Sequence, residues 1–579
     1  MTKLIISSSK FQSAIVDLLP CNNGSKSRLT HSLIDTYGLL QYFDHVVMTP
    51  FASKDELLNF HTIEYLNVIL DEKLNKRKVE DETYIDNWNY LNQVGIEWLE
   101  ENKPNESKSF ELQANFQDDN DNTIQSTNEI DQYFNSIETL YKYYSYIAKG
   151  HKATVKNYNT TSNKKRTSWE ALLDELSDDS MENSTDSAND NSSNNSSDTS
   201  SEDSNDDSGV DLNDNSSDRL SSKNATQKHE IDSYKATVIN DIVDFDVVKL
   251  KQYNLVGDCP IFSFLPMYCH VLGGSTLRLL DHIDFNEKQI CINWDGGRHH
   301  SRKKKASGFC YVNDIVLCIQ KLGEKGFRKI TYLDFDLHHG DGVEKSFQYS
   351  KHIQTISVHL FEPGFFPCTG SLEETKHGFN IVNIPTLHGL DDNYLTYLLN
   401  RVIIPLIKKH KPECLVVQCG GDGLIGDRYK EWQMTISGLT KNIMLVLQNF
   451  PECSVVLLGG GGYNERVMSR FHTFLTWKVV QTFSSKGSTL LDQFESDYHE
   501  EHSTKQNNDT TTMDSANTQS PFSNNMSDIL IPEHEFSDFY GEELCRFWAY
   551  ELPASQYFKQ LHNDNIPNYI DKLVKFYNL

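Results

Sequence analysis

An α/β fold with a mainly parallel central sheet flanked by helices is what this sequence predicts, and three observations carry it. Short, almost wholly apolar runs alternate with helical segments between Tyr253 and Lys478, at residues 290–294, 330–334, 355–358, 415–418 and 455–458. A run that is apolar at every position belongs to a strand covered on both faces, which is the mark of a parallel sheet. Four of these runs end in polar or glycine-rich turns, the place where ligands bind in open α/β sheets. Finally, the chain has 579 residues, but its dense segments amount to one large domain interrupted by two polar insertions.

In chain order, residues 1–101 form the N-terminal part of that domain. Leu4-Ile5-Ile6 reads as a first strand and is too short for a signal-peptide core. Helical periodicity follows at 31–37 and 56–60. Residues 102–235 are an acidic insertion rich in Ser, Asn and Asp. Between Thr167 and Asp218 it contains no Lys or Arg, so it buries too little apolar surface to offset its ordering entropy and is expected to be disordered. Within it, the aromatic-rich stretch 133–147 is expected to form one short helix. Residues 236–483 are the dense core, 484–528 a polar flexible loop, and 529–579 a closing segment with a helical end. No internal repeat is found.

Composition narrows the function. The formal net charge of −28 argues against direct binding to nucleic acid and is compatible with basic protein substrates. Eleven cysteines without a CxxC pair read as core thiols in a reducing, intracellular compartment. No run of about 18 apolar residues exists, so no membrane span is expected.

The chemistry is concentrated at strand ends. Asp334-Phe335-Asp336-Leu337-His338-His339-Gly340-Asp341-Gly342 follows the run 330–333. On an extended strand Asp334, Asp336 and His338 point the same way. Two carboxylates and an imidazole cannot be buried on one face unsupported, because each unpaired charge costs several kcal/mol. A cation resolves this, and the mixed oxygen and nitrogen ligands suit Zn(II), Fe(II) or Mn(II). The bland alternative, a polar loop with chance acids, is disfavoured by the other strand ends. Asp295-Gly296-Gly297-Arg298-His299-His300 follows one run, Cys419-Gly420-Gly421-Asp422 another, and four glycines with Tyr463 the last. A His pair is often decoration and a lone Asp often a helix cap; after glycine turns at strand ends they read better as catalytic and as a third metal ligand. The tetraglycine misses the last glycine of GxGxxG, and 421–427 lacks the P-loop lysine, so nucleotide binding is rejected.

On these residues the chain resembles the zinc-dependent histone deacetylases of class I, within the arginase–deacetylase fold, and among them the fungal Hos-type enzymes. The resemblance covers 1–75, 253–483 and 529–579. It is carried by GDCP at 257–260, GGRHH at 296–300, ASGFCYVND at 306–314, LDFDLHHGDG at 333–342, PGFFPCTG at 363–370 and LGGGGYN at 458–464. It implies hydrolysis of N6-acetyl-lysine in proteins to lysine and acetate. Asp336, His338 and Asp422 would hold the metal, Zn2+ with Fe2+ as the alternative in the cell. His300 would be the general base and acid and His299 its electrostatic partner. Asp334 and Asp341 would orient the two imidazoles, and Tyr463 would donate to the developing oxyanion. Phe309 and Phe366 would wall a narrow tunnel, with Gly308 between them, Tyr429 at its rim and Asp258 holding substrate backbone amides. A structural K+ would recruit Asp334 and Ser357.

The resemblance further implies acetylated histone tails or cohesion-type chromosomal proteins as substrates, a corepressor as partner, and the nucleus as location, with the cytoplasm second. Three positions depart from the family. Arg298 stands where Leu or Trp is usual, Lys26 where an arginine of the acetate-release region is expected, and Tyr429 where Leu or Met is common. We expect Arg298 to sit at the pocket base and help bind and eject acetate; the bland alternative has it turned outward to a surface carboxylate. An acetylpolyamine hydrolase or arginase-type reading is weaker, since Asp334 is the one spare carboxylate for a second metal. An acidic scaffold binding basic proteins is at most an added role.

Overall fold

Valine, isoleucine and leucine crowd the five predicted runs, and each run becomes part of one parallel sheet in the computed structural model. The structure describes residues 2–22, 25–48, 50–71, 74, 247–487, 530–541, 544–551 and 561–579. The strands are β1 Lys3–Ser7, β2 His45–Val47, β3 Gln289–Asn293, β4 Ile330–Asp334, β5 Ile353–Leu360, β6 Ile381–Thr386, β7 Cys414–Gln418 and β8 Ser454–Leu458. They lie in the order β2-β1-β3-β8-β7-β4-β5-β6, and every adjacent pair is parallel. From β4 the chain steps outward to β5 and β6. It then returns to place β7 and β8 between β4 and β3.

The sheet is buried on both faces, as predicted: β3, β4, β5, β7 and β8 are buried at every position. Leu4, Ile6, Ile290, Ile292, Leu415, Val417, Val455 and Leu457 share one core with Leu33, Leu439, Ile443, Val467, Phe471 and Leu475. Those partners come from the helices Lys26–Thr36, Ile436–Asn449 and Glu465–Phe483. The intervening residues Ile5, Cys291, Val416 and Val456 are equally buried, and the helix Leu265–Leu279 packs against β1 and β3. Alternation along each strand thus feeds two helix layers.

β2 and β6 were not predicted, and both are edge strands. β2 has three residues, and β6 carries Pro385, which cannot donate to a ladder. The C-terminal segment closes over the helix Glu465–Phe483 through Arg470. This fully buried guanidinium donates to the carbonyls of Arg466, Leu544 and Arg546 and lies over the rings of Tyr540 and Tyr550. All eleven cysteines are free thiols and most are buried, as expected. The expected helix at 133–147 and the acidic run 167–218 lie outside the described residues, as does most of the loop 484–528. No helix among the described residues is long and apolar enough to cross a membrane.

Candidate active site

The four strands that end in reactive turns, β3, β8, β7 and β4, are the four central neighbours of the sheet. Their carboxyl ends therefore deliver 295–300, 459–463, 419–422 and 335–341 to one place. One expectation is corrected here: Asp334, Asp336 and His338 do not share a strand face. β4 ends at Asp334, and the chain bends through 336–338. The Asp336 N–H donates back to Asp334 Oδ1 at 3.0 Å, and the His338 N–H to Asp336 Oδ1 at 3.0 Å. Such short side-chain-to-backbone bonds compete with the strand ladder and turn the chain. Asp334 then faces His299, while Asp336 and His338 face Asp422.

His338 Nδ1 lies 2.9 Å from Asp422 Oδ2 and 3.2 Å from Asp336 Oδ1. One ligand atom from each of the three residues falls within 4.8 Å of the others, and all three are buried. Their neighbours hold them in place. Asp336 Oδ2 accepts from Gln418 Nε2 at 2.7 Å and from the Gly461 N–H at 2.8 Å; Asp422 Oδ1 accepts from the Leu337 N–H at 2.9 Å. A Cβ on Gly461 would stand 2.5 Å from Asp422 Oδ2 and 2.7 Å from Asp336 Oδ2, so this close approach requires glycine. Burial and the Asp336 charge push Asp422 up to about 7. Burial would hold the His338 imidazole down, but Asp336 and Asp422 outweigh it and raise it to about 10. Two buried carboxylates and an imidazole nitrogen that attract positive charge this strongly fit a divalent cation.

Beside this cluster lie the paired histidines, with rings 3.9 Å apart. His299 Nδ1 meets Asp334 Oδ2 at 2.8 Å, and the Tyr332 hydroxyl donates to the same oxygen at 2.6 Å. His300 Nδ1 meets Asp341 Oδ1 at 2.7 Å, and Arg302 pairs with the other oxygen. Both carboxylates engage Nδ1, the kind of contact that fixes an imidazole's tautomer and orientation. The histidines are driven apart electrostatically. Burial opposes charge on His299, but Asp334 and Asp336 raise it to about 9. Burial, then the charge on His299, holds His300 down to about 3.

Aromatic rings enclose the site. Phe309 and Tyr429 pack edge-on to Tyr463 at 5.9 and 5.3 Å, and Phe366 packs edge-on to His300 at 4.9 Å. Gly308 lies against His300 and Phe366. Tyr429 lies deeper than a rim residue, with its ring 4.8 Å from His338. Asp258 accepts from Asn254 Nδ2 and from the Gly308 N–H. Ser357 stands in register with Asp334 across β4 and β5, its Oγ accepting from the Gly340 N–H at 3.3 Å. Arg298 is buried rather than turned outward.

Sequence reasoning missed three residues. Phe365 stacks on His338 at 5.1 Å; it stood in the PGFFPCTG stretch, where only its neighbour was singled out. Gln418, the last residue of β7, fixes Asp336. Asp427 is buried and accepts the backbone N–H of Tyr463 at 2.6 Å and of Tyr429 at 3.1 Å. Nothing in the local pattern marks Asp427 as a partner of Tyr463, which lies 36 residues on.

A buried cluster fit for a divalent cation, beside a carboxylate-bound histidine pair on an α/β sheet, is the arrangement of a metal-dependent hydrolase. Residues 192–479 match the histone deacetylase domain family. The chain is 40% identical to histone deacetylase HOS1 of Saccharomyces cerevisiae over 588 residues, covering 100% of both chains. It is 39% identical to histone deacetylase 8 of Xenopus tropicalis over 247 residues, 42% of this chain and 66% of that protein. It is also 38% identical to histone deacetylase HDAC1 of Drosophila melanogaster over 232 residues, 39% of this chain and 44% of that protein. The chain belongs to the histone deacetylase family, as a class I enzyme of the Hos type. It is a metal-dependent hydrolase of acetyl-lysine in proteins.

Proposed function

We propose that Asp336, His338 and Asp422 hold the catalytic ion and that His300, His299 and Tyr463 carry the proton and charge movements around it. The observation that carries this reading is the convergence of those three buried ligands on one point, next to the His299–His300 pair. A divalent ion there, Zn2+ with Fe2+ as the cellular alternative, supplies carbonyl polarisation and a water acidified toward neutrality. The chain supplies the rest. The acetyl-lysine stem, an uncharged amide on an apolar chain, enters between Phe309 and Phe366 past Gly308. His300, kept neutral by burial and by the charge on His299, accepts a proton from the attacking water at Nε2. The Tyr463 hydroxyl donates to the oxygen that gains negative charge. His300 then returns the proton to the leaving lysine amine. Asp341 and Asp334 keep both rings oriented through Nδ1, and Asp427 positions the backbone of Tyr463.

Asp258 is proposed to meet substrate backbone amides near the tunnel mouth, and Asp334 with Ser357 to hold a structural K+. The substrates proposed are acetylated histone tails or cohesion-type chromosomal proteins. A nuclear location and a corepressor partner follow from the same family reading. The test is a metal and activity analysis of the full chain on an acetyl-lysine peptide. Chelation should abolish turnover and Zn2+ or Fe2+ restore it. Asp336→Asn should lose the metal, whereas His300→Ala should keep the metal and lose turnover. Full turnover by the metal-free chain, or an undiminished metal content in Asp336→Asn, would sink this assignment.

A further inference from the structure

Two cations lie buried beside the glycine turn 459–462, and among the described residues neither side chain is directly paired with a carboxylate, although Asp422 and Asp427 act on Lys26, and Asp314 on Arg298, from further off. Lys26 is 7% exposed and Arg298 is 6% exposed. The Lys26 ammonium donates to the Gly460 carbonyl at 3.0 Å and reaches that of Gly461 at 3.5 Å. The N–H of the same Gly461 donates to Asp336 Oδ2, so one glycine separates the ammonium from a proposed metal ligand. Arg298 is anchored by its backbone N–H on Asp314 at 2.8 Å, directly before His299 and His300. Its side-chain Nε is buried without a hydrogen-bond partner, and so is the hydroxyl of the fully buried Tyr268. Among the described residues, no carboxylate side chain pairs with Lys26 or with the Arg298 guanidinium.

These groups form one cluster: Lys26 reaches the Gly460 carbonyl at 3.0 Å, Gly297, directly before Arg298, lies against Gly459 and Gly460, and Tyr268 acts on the Arg298 guanidinium. Burial, then the charge on Arg298, holds Lys26 down to about 8. Cys310 connects the cluster to the site: burial pushes its thiol up to about 12, and it feels both Arg298 and Asp336. A desolvated guanidinium and ammonium that repel each other, with two orphaned donors, are costly without a directly paired anion. A guanidinium grips a carboxylate through two parallel charge-assisted bonds.

We propose that Lys26, Arg298 and Tyr268 form a subsite for the far end of the acyl group, and that it takes an acyl chain ending in a carboxylate, as in succinyl-lysine. The inference rests on the deacetylase reading above. An acetyl group is neutral until its amide is cleaved, so two buried cations do nothing for its binding and only retain the product. A dicarboxylic acyl chain brings its charge from the start and offsets the desolvation of both cations. The reaction balances as for acetyl-lysine. Water forms the new C–O bond, the amide C–N bond breaks, the lysine amine takes the proton from His300, and the distal carboxylate is released unchanged on a dicarboxylate.

The experiment uses the metal-loaded full chain and one peptide carrying acetyl-, propionyl- or succinyl-lysine, the propionyl form being the uncharged control. The parent should hydrolyse the succinyl peptide. Arg298→Leu should lower the ratio of succinyl to propionyl kcat/KM by about tenfold or more, and Arg298→Lys should restore part of it. Succinate, against chloride at matched ionic strength, should raise the Tm of the parent saturably and that of Arg298→Leu far less. A ratio indifferent to Arg298→Leu overturns the proposal. So does hydrolysis of the acetyl and propionyl peptides alone, even with saturable carboxylate binding, which would leave the pocket a seat for the free product. Hydrolysis of none of the three overturns the deacetylase reading itself.

Discussion

Gly308 is where a single hydrogen atom decides the shape of the site. Its φ is +53°, and a Cβ there would overlap the His300 ring and crowd Phe366. Left-handed backbone costs a non-glycine residue roughly 1–2 kcal/mol, and moving the proposed base by about 1 Å costs roughly 10²-fold in rate. Gly308→Ala is therefore expected to keep its metal and lose about 10²-fold in kcat on an acetyl peptide; a full rate would show that His300 tolerates displacement. Tyr463→Phe removes the proposed oxyanion donor and nothing from the proposed metal cluster. It should lower kcat by about 10²–10³ with unchanged metal content, and an unaltered kcat would remove the hydroxyl from the mechanism. At this scale the candidate ligands and the histidine pair were legible, because their residue types are costly to bury together. Asp427 and Phe365 were not, because their contacts with Tyr463 and His338 join distant parts of the chain.

Among the elements, the helix Glu465–Phe483 links catalysis to stability. Asn464 caps it, accepting from the N–H groups of Arg466 at 3.1 Å and Val467 at 3.4 Å, and it follows Tyr463 directly. Its Nδ2 also donates to the Gly426 carbonyl at 2.8 Å. Asn464→Ala should cost about 1 kcal/mol of stability, and a Tm equal to the parent's would show the cap to be dispensable. The central strands were legible from continuous apolar runs. The edge strands β2 and β6 were not, since brevity and Pro385 erase the pattern that burial on both faces imposes.

Across the whole molecule, buried histidines set the acid limit of stability. His61 accepts the Asn313 N–H at 3.1 Å, and His472 stacks on Trp294 at 4.5 Å. Burial lowers both from 6.5 to about 3. Between those values the unfolded chain binds protons on both residues that the folded chain refuses. Unfolding then takes up protons, and stability falls as pH drops from 6.5 toward 3, by roughly 1.4 kcal/mol per pH unit for each group. Denaturant unfolding of His61→Gln/His472→Gln should show a flatter dependence on pH in that window; an identical slope would remove these residues from acid unfolding. The insertion belongs to the same scale. Leu74 is buried and its carbonyl accepts from the Phe264 N–H, and the described chain resumes at the helix Val247–Gln252. From its composition, deletion of 105–235 is expected to leave a soluble chain active on a short acetyl peptide. An insoluble or inactive product would make the segment structural.

Sequence by itself determined the family and the parallel sheet, and it singled out Asp336, His338, Asp422, His299, His300 and Tyr463 as candidates for one chemical set. Burial on both faces writes itself into every position of a strand, and a cation site restricts which side chains its turns can carry. Only the tertiary structure decided how the set is assembled. Strands β3, β4, β7 and β8 are scattered through the chain, yet the order β3-β8-β7-β4 makes them neighbours. The bend after Asp334 turns one carboxylate to His299 and the next to Asp422. The burial of Arg298 and Lys26 without a directly paired carboxylate among the described residues was likewise invisible. A charged residue reads the same in a sequence whether it faces water or the interior, and only packing reveals which desolvation has been left uncompensated.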